Sequence, residues 1–247
     1  MLRQIQQLNT SIRGLANAAS AMAQIQEVVH ENVSTPQIEY LKERCIAVSE
    51  KDKIIGSVSK GKSHQKGTSV LHRAFSVFVF NPDKELLLQQ RAPTKITFPL
   101  RWTNSCCSHP LFTEQEIEGE TGVRHAAQRK LYHELGISAS HCALHDFKMV
   151  GKFIYSADSD ENWTEHELDY VLILKNYTGP LELNLDEAAA VKYVSHEEFT
   201  ELYDQDPSNF SPWFGLLHSK GWLAKWWHDL DDLSEHVLAS KTIHRLN

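Results

Sequence analysis

Two thiols and an imidazole fall within four residues in Cys106-Cys107-Ser108-His109, and Pro110 ends regular structure there. A thiol moves a proton, and an imidazole moves a proton or binds a metal. Just upstream, Gln89-Gln90-Arg91-Ala92-Pro93-Thr94-Lys95-Ile96-Thr97-Phe98-Pro99 is a Pro-punctuated loop with two cations, Arg91 and Lys95. Thiol, imidazole and fixed positive charge together make a poor core and a good site. Glu165 and Glu167 lie at i and i+2 at the start of a strand, so they share a face. Paired carboxylates repel unless a cation lies between them or one is protonated. A solvated edge would also tolerate them. His72, His109 and His64 come from separate segments, and imidazole with carboxylate oxygen suits Zn2+, Mn2+ or Fe2+. The chain has fourteen histidines, so three of them are a weak signal on their own. Lys60, Lys62, His64 and Lys66 sit in a polar, Gly-punctuated stretch that reads first as a solvated loop.

The elements that must hold these groups follow from hydrophobic period and turn chemistry. A helix is expected over residues 38–44. Strands at 45–49 and 54–58 form a hairpin about the charged turn Glu50-Lys51-Asp52-Lys53, and residues 59–69 are loop. Leu71 to Phe80 is an apolar, β-branched strand. It turns at Asn81-Pro82-Asp83 and returns over 85–90. Val123 to Leu135 reads as a helix with Gly136 as its stop. Strands follow at 146–155 and 167–174, then 190–194. Ser195-His196-Glu197-Glu198 has the form of a capping box. Pro212 fits the first position of one last long helix containing Trp213, Phe214, Leu216, Leu217, Trp222, Trp226 and Trp227. Strands, a helix, more strands and then helices predict an α+β fold, an αβα sandwich of mixed sheet with extra C-terminal helices.

Composition bounds the function. The 247 residues are 41% hydrophobic and 23% charged, with six Trp, which suits one sizeable domain at 31–247 after an arm at 1–30. Net charge is −7. Bulk charge therefore argues against a nucleic-acid partner, and an anionic ligand needs local cations. No apolar run approaches the ~18 residues of a membrane span, so no membrane partner is expected. Four cysteines, two of them adjacent, read as reduced thiols, with Cys45 and Cys142 as inert core and Cys106 as a packed neighbour. The first 26 residues hold Arg3 and Arg13 but no acid, and their apolar residues recur near helical period. That pattern is a mitochondrial presequence or an ordinary amphipathic arm on an otherwise cytoplasmic chain.

Arg129-Lys130-Leu131-Tyr132-His133-Glu134-Leu135-Gly136-Ile137 resembles the end of a Nudix box, R-E-U-x-E-E-x-G-U with U apolar. Lys130 and His133 replace two of the metal-binding carboxylates. That leaves the Nudix fold in place and disfavours diphosphate hydrolysis. From about residue 37 onward the chain resembles the type I isopentenyl-diphosphate delta-isomerases, a Nudix-fold family. The stretches that carry the resemblance include Leu71-His72-Arg73-Ala74-Phe75-Ser76, Thr103-Asn104-Ser105-Cys106-Cys107-Ser108-His109-Pro110, Glu165-His166-Glu167-Leu168-Asp169-Tyr170 and Pro212-Trp213-Phe214.

The resemblance implies interconversion of isopentenyl and dimethylallyl diphosphate in isoprenoid biosynthesis. Cys107 and Glu167 would be the catalytic acid/base groups. His64, His72, His109, Glu165 and Glu167 would bind a divalent ion, Zn2+, Mn2+ or Mg2+, and Glu134 would bind the Mg2+ that accompanies the diphosphate. Lys60, Arg91, Lys95, Ser108 and Lys130 would hold the diphosphate, with Tyr155 and Trp213 near the reacting carbons. The partner implied is a small prenyl diphosphate, and a monomer is expected. The competing readings are a Nudix hydrolase and a module in which His and Glu ligands only hold the fold.

Overall fold

The computed structural model describes residues 34–247, so the leader expected at 1–30 lies outside the described residues. Two apolar strands set the frame. β3 (His72–Val79) and β8 (Thr164–Leu174) pair in parallel, with His72 opposite Glu167 and Val79 opposite Leu174. Apart from half-buried His166, every residue of both strands is buried, as expected of strands covered on both faces. Around them one sheet runs β10 (Ile243–Arg245), β7 (Lys148–Asp158), β8, β3, β1 (Arg44–Val48), β2 (Ile54–Ser59). A short strand, β6 (Cys106–Ser108), also pairs with β3. A second sheet orders β5 (Trp102–Thr103), β4 (Leu86–Arg91) and β9 (Ala188–Val194). The β3–β8 and β10–β7 pairs are parallel and the others antiparallel, so the structure is mixed.

Alternation divides the molecule into layers. Phe75, Val77 and Val79 of β3 pack with Leu168, Tyr170 and Leu172 of β8 against α3 (Gly119–Leu135), through Val123, Ala126, Ala127 and Leu131. On the other face Phe78, Val171 and Ile173 meet α4 (His196–Gln205), α5 (Pro212–Ser219) and α6 (Trp222–His228). Phe199, Trp213, Phe214, Leu217, Trp226 and Trp227 fill that layer. Helices on both faces of mixed sheet give the expected αβα sandwich. Glu165, Glu167 and Asp169 share the parity of Val171, so they lie on the face covered by the C-terminal helices.

Several local expectations needed correction. The first helix is α1 (Thr35–Tyr40), earlier than 38–44, because Pro36 presets its first turn and Arg44 already belongs to β1. The stretch read as loop at 59–69 contains one helical turn, α2 (Lys60–His64). The loop around the thiols contains β5 and β6, too short to give a hydrophobic period. The single long C-terminal helix is two, broken at Gly221, whose φ of 76° is left-handed. The chain then continues into α7 (Ser234–Ala239) and β10. The capping box holds: Glu198 N donates to Ser195 Oγ at 3.1 Å, and Ser195 N donates to Glu198 Oε2 at 2.8 Å. Gly136 ends α3 with φ 69°.

The start of α3 is fixed to the thiol loop through Glu116. Its carboxylate accepts Arg129 Nε at 2.6 Å and Leu111 N at 2.8 Å, while Arg129 Nη2 donates to the His109 carbonyl at 3.2 Å. Gly122 lies against this turn, and a Cβ there would meet the Glu116 carbonyl oxygen at 2.2 Å and its carbon at 2.5 Å. Both are backbone atoms, which cannot swing away. Gly122→Ala is expected to cost about 1–3 kcal/mol, read as a lower urea midpoint; an unchanged midpoint would show that the turn relaxes freely.

Candidate active site

The thiol loop is built by its polar neighbours. Ser105 Oγ donates to the Leu87 carbonyl at 2.6 Å and accepts Val79 N at 2.8 Å, joining the two sheets. Asn104 Nδ2 donates to the Val77 and Cys106 carbonyls at 3.1 and 2.8 Å. Asn104 Oδ1 accepts Trp213 Nε1 at 3.0 Å and Thr103 Oγ1 at 2.9 Å, and Thr103 Oγ1 meets Ser211 Oγ at 2.7 Å. Thr103, Asn104 and Ser105 are fully buried, so these bonds replace water that the groups have lost. They fix β6, and strand alternation then parts the thiols. Cys106 points into the α3 layer with no exposure, and Cys107 points into a cleft on the opposite face. Among the described residues all four cysteines are free.

At one end of the cleft the parallel register brings His72 beside Glu167, and α2 and the loop after β6 add His64 and His109. The imidazole centroids lie 4.8, 4.8 and 4.9 Å apart. One donor atom from each of His64, His72, His109 and Glu167 falls within 4.8 Å of the others, and all four residues are buried. Carbonyl oxygens can only accept, so His72 Nδ1 must donate to Val70 O at 2.7 Å and His64 Nδ1 to Lys60 O at 2.8 Å. Each Nε2 is thereby turned toward the cluster. His72 Nε2 has no hydrogen-bond partner, while His64 Nε2 is 2.9 Å from Glu165 Oε2 and His109 Nε2 is 2.7 Å from Glu167 Oε1. Imidazoles fixed by backbone carbonyls and aimed at buried carboxylates fit a divalent ion. Without one, the charges compensate among themselves. Burial opposes a proton on His64, but Glu165 and Glu167 outweigh it and raise His64 to about 9. Burial and the charge on His64 push His72 down to about 4. Burial would raise Glu167, yet His64 and His72 hold it at about 2.

The other end is cationic. Lys60 and His64 lie four residues apart on α2, so one helical turn serves both ends of the cleft. Burial, with the nearby Lys95 and Lys130 ammonium groups, lowers the Lys60 ammonium. Arg91 is buried and held from behind, with Nε donating to the Phe98 carbonyl at 3.0 Å and Nη2 to the Thr97 carbonyl at 2.7 Å. Its Nη1 reaches Cys107 Sγ at 3.6 Å, and its Cζ stands 5.4 Å from the centroid of the Trp213 ring. Burial pushes the Cys107 thiol up to about 12 against the pull of Arg91. Tyr155 Oη donates to Glu167 Oε2 at 2.5 Å. Tyr155 and Trp213 line the wall between the ends.

Of the residues singled out in the sequence, Lys60, His64, Arg91, Lys95, Cys107, Ser108, His109, Tyr155, Glu165, Glu167 and Trp213 line this cleft. His72 stands behind it as a cluster member. Glu134 and Lys130 do not line it. They ion-pair at 3.1 Å, and Gln89 Nε2 donates to Glu134 Oε2 at 3.1 Å. The Lys130 ammonium also meets His133 Nδ1 at 3.1 Å and Glu187 Oε1 at 3.4 Å. Its donors are thus taken up by protein acceptors. Sequence reasoning missed Gln37, Ser76, Asp169 and Glu187. Asp169 continues the Glu165, Glu167 alternation, and Ser76 Oγ donates to its Oδ2 at 2.8 Å, so the i+4 spacing was a signal. Burial and Glu167 push Asp169 up to about 8. Gln37 and Glu187 reach the site only through tertiary packing and left no such signal.

A mixed-sheet sandwich with this helix and cleft defines a Nudix protein, and the NUDIX domain family model matches residues 70–214. Within that class, isopentenyl-diphosphate Delta-isomerase I, chloroplastic, of Arabidopsis thaliana is 45% identical over 217 residues, covering 83% of this chain and 74% of that one. Isopentenyl-diphosphate Delta-isomerase I of Clarkia breweri is 45% identical over 83% of this chain and 75% of its own. An isopentenyl-diphosphate delta-isomerase of Gibberella zeae is 43% identical over 85% of each chain. The chain belongs to the isopentenyl-diphosphate Delta-isomerase family.

The His/Glu cluster makes its own prediction. Calorimetric titration with Mn2+ or Zn2+ is expected to show one site per chain, weakened in His72→Ala by about 10- to 100-fold or more. Equal affinity in the variant would remove His72 from the ligand set.

Proposed function

We propose that this protein interconverts isopentenyl and dimethylallyl diphosphate, with Cys107 and Glu167 as its two acid/base groups. The family carries the reaction. The residue roles are supported above all by one arrangement: a thiol and a carboxylate, from strands β6 and β8, face a single cleft that is cationic at one end. The substrate is an alkene on a diphosphate. Moving its double bond requires a proton added at the terminal carbon and another removed from the carbon on the far side of the branch. An alkene is a weak base, so the donor must be held close, aligned and dry. One of the pair gives the proton and the other takes one, so no covalent intermediate is needed.

The remaining groups fit around that step. Lys60, Lys95, Arg91 and Ser108 are proposed to receive the diphosphate, and Lys130 contributes charge from behind the cleft. Lysine acts here as a point charge and Arg91 as a planar donor. The Trp213 face would stabilise positive charge at the branched carbon by roughly 0.5–2 kcal/mol through cation–π attraction. Tyr155 holds the Glu167 carboxylate in place through its hydroxyl. His64, His72, His109, Glu165 and Glu167 are proposed to hold a divalent ion, and Glu134, whose buried Oε1 faces the Lys130 ammonium at 3.1 Å, to help hold the Mg2+ of the diphosphate. Such ions supply positive charge that orients carboxylates and neutralises phosphate oxygens. Zn2+, Mn2+ and Mg2+ are the candidates for the His/Glu cluster. Residues 31–247 are proposed as one isomerase domain, acting as a monomer.

No described helix is long and apolar enough to cross a membrane. The segment 1–30, acid-free over its first 26 residues, is proposed as a mitochondrial leader on an otherwise cytoplasmic protein. A fluorescent fusion with and without that segment tests it; a purely cytosolic signal from the full-length fusion sinks the leader.

Turnover of isopentenyl diphosphate in deuterated water with Mg2+ should place deuterium in the dimethylallyl product without releasing phosphate. Cys107→Ala and Glu167→Gln should each lower kcat by about 10²–10⁴-fold. Phosphate release in place of isomerisation would favour the hydrolase reading, and a near-normal rate in Cys107→Ala would remove the thiol from the mechanism.

A further inference from the structure

Behind the cationic end of the cleft lies a carboxylate that the reaction as described does not use. Glu187 is 1% exposed, and its side chain is wholly enclosed. Its Oε2 ion-pairs with Lys95 Nζ at short range, and its Oε1 is 3.4 Å from Lys130 Nζ. The backbone is fixed at the same point: Ala92 N donates to Glu187 O at 3.0 Å, and Glu187 N donates to Asn184 O at 2.9 Å. Glu187 therefore immediately precedes β9 while holding the loop that carries Lys95. Burial alone would raise its carboxyl, but Lys95, Lys130 and Lys60 hold it well below the usual range. The fourth group on this carboxylate is His133, whose Nδ1 lies 3.6 Å from Oε1.

We infer that Glu187 is a positioning residue for the diphosphate: it fixes the ammonium groups of Lys95 and Lys130 as a preset anion receptor. The inference rests on the proposed placement of the diphosphate at this end of the cleft. Three lysines converge there, and each has a long flexible stem. Without a shared counter-charge they repel one another, and an unpaired buried ammonium is costly. A buried carboxylate behind them keeps them charged and limits the rotamers they must lose on binding the anion. Glu187 does not line the cleft, so it touches the lysines and not the substrate.

The test uses the full chain, with inorganic pyrophosphate as a competitive inhibitor that reports anion binding without chemistry. Lys95→Met should raise both KM and the pyrophosphate inhibition constant by about 10- to 100-fold, the range for a charge-assisted contact. Should both stay unchanged, the diphosphate does not bind here and the underlying reading fails. Glu187→Gln should raise the same two constants together by about tenfold or more, with kcat nearly kept. Where Lys95→Met weakens both but Glu187→Gln leaves both as in the parent, or lowers kcat alone, the positioning role is overturned. Thermal melting establishes that each variant is folded. If Glu187→Gln does not fold, Glu187→Asp carries the test, since it keeps the charge at shorter reach and should give a smaller parallel rise; parent-like constants in that variant overturn the role.

Discussion

The structure depends on the burial of two carboxylates side by side. Glu165 and Glu167 are 4% and 6% exposed on one face of β8, where water cannot screen them. Such a pair persists only with positive charge around it. The fold answers with imidazoles from three separate segments: α2 contributes His64, whose proton the carboxylates hold, while β3 contributes His72 and the loop after β6 contributes His109 as ligands for a cation. Tyr155 donates to the same Glu167 from β7, the neighbouring strand. The cluster therefore ties the centre of the large sheet to the thiol loop, and that loop to the cleft.

A second charge problem is solved in the opposite sense. Lys60, Lys95 and Lys130 gather near one another in a chain whose net charge is −7. Here carboxylates offset cations: Glu134 and Glu187 stand behind the lysines, as histidines stand around the glutamates. The cleft is thus polarised along its length, and the thiol of Cys107 lies between an end rich in imidazole and carboxylate and an end rich in ammonium. A prenyl diphosphate has the matching asymmetry, with a trianion at one end and an alkene at the other.

Lys130 and His133 clarify how a Nudix helix serves a different reaction. Both replace box carboxylates; Lys130 pairs with Glu187 and donates to His133 Nδ1. An ammonium tethered between Glu134 and Glu187 now occupies ground where box carboxylates would hold a metal. On the helix face where a hydrolase would gather carboxylates, this chain sets a buried ammonium between Glu134 and Glu187.

Much of this was legible in the amino-acid order because its causes are local. The apolar, β-branched runs at 71–80 and 167–174 marked two buried strands, and alternation placed Glu165 and Glu167 on one face; that the two thiols part to opposite faces became visible only with β6. Ser195 and Glu198 marked a helix start, and Gly136 a helix stop, through backbone rules that need no distant partner. Which face of each strand became the site was a tertiary decision, since that depends on where the C-terminal helices pack. The joining of His64, His72 and His109 needed the parallel β3–β8 register and one turn of helix at 60–64, neither of which leaves a periodic signal. Glu187 shows the limit most plainly. In sequence it is one acid after a turn, and only the approach of Lys95 and Lys130 from other elements makes it a buried counter-charge. Residue chemistry and period are written in the chain; the electrostatic neighbour of a buried group is set by whatever the fold brings next to it.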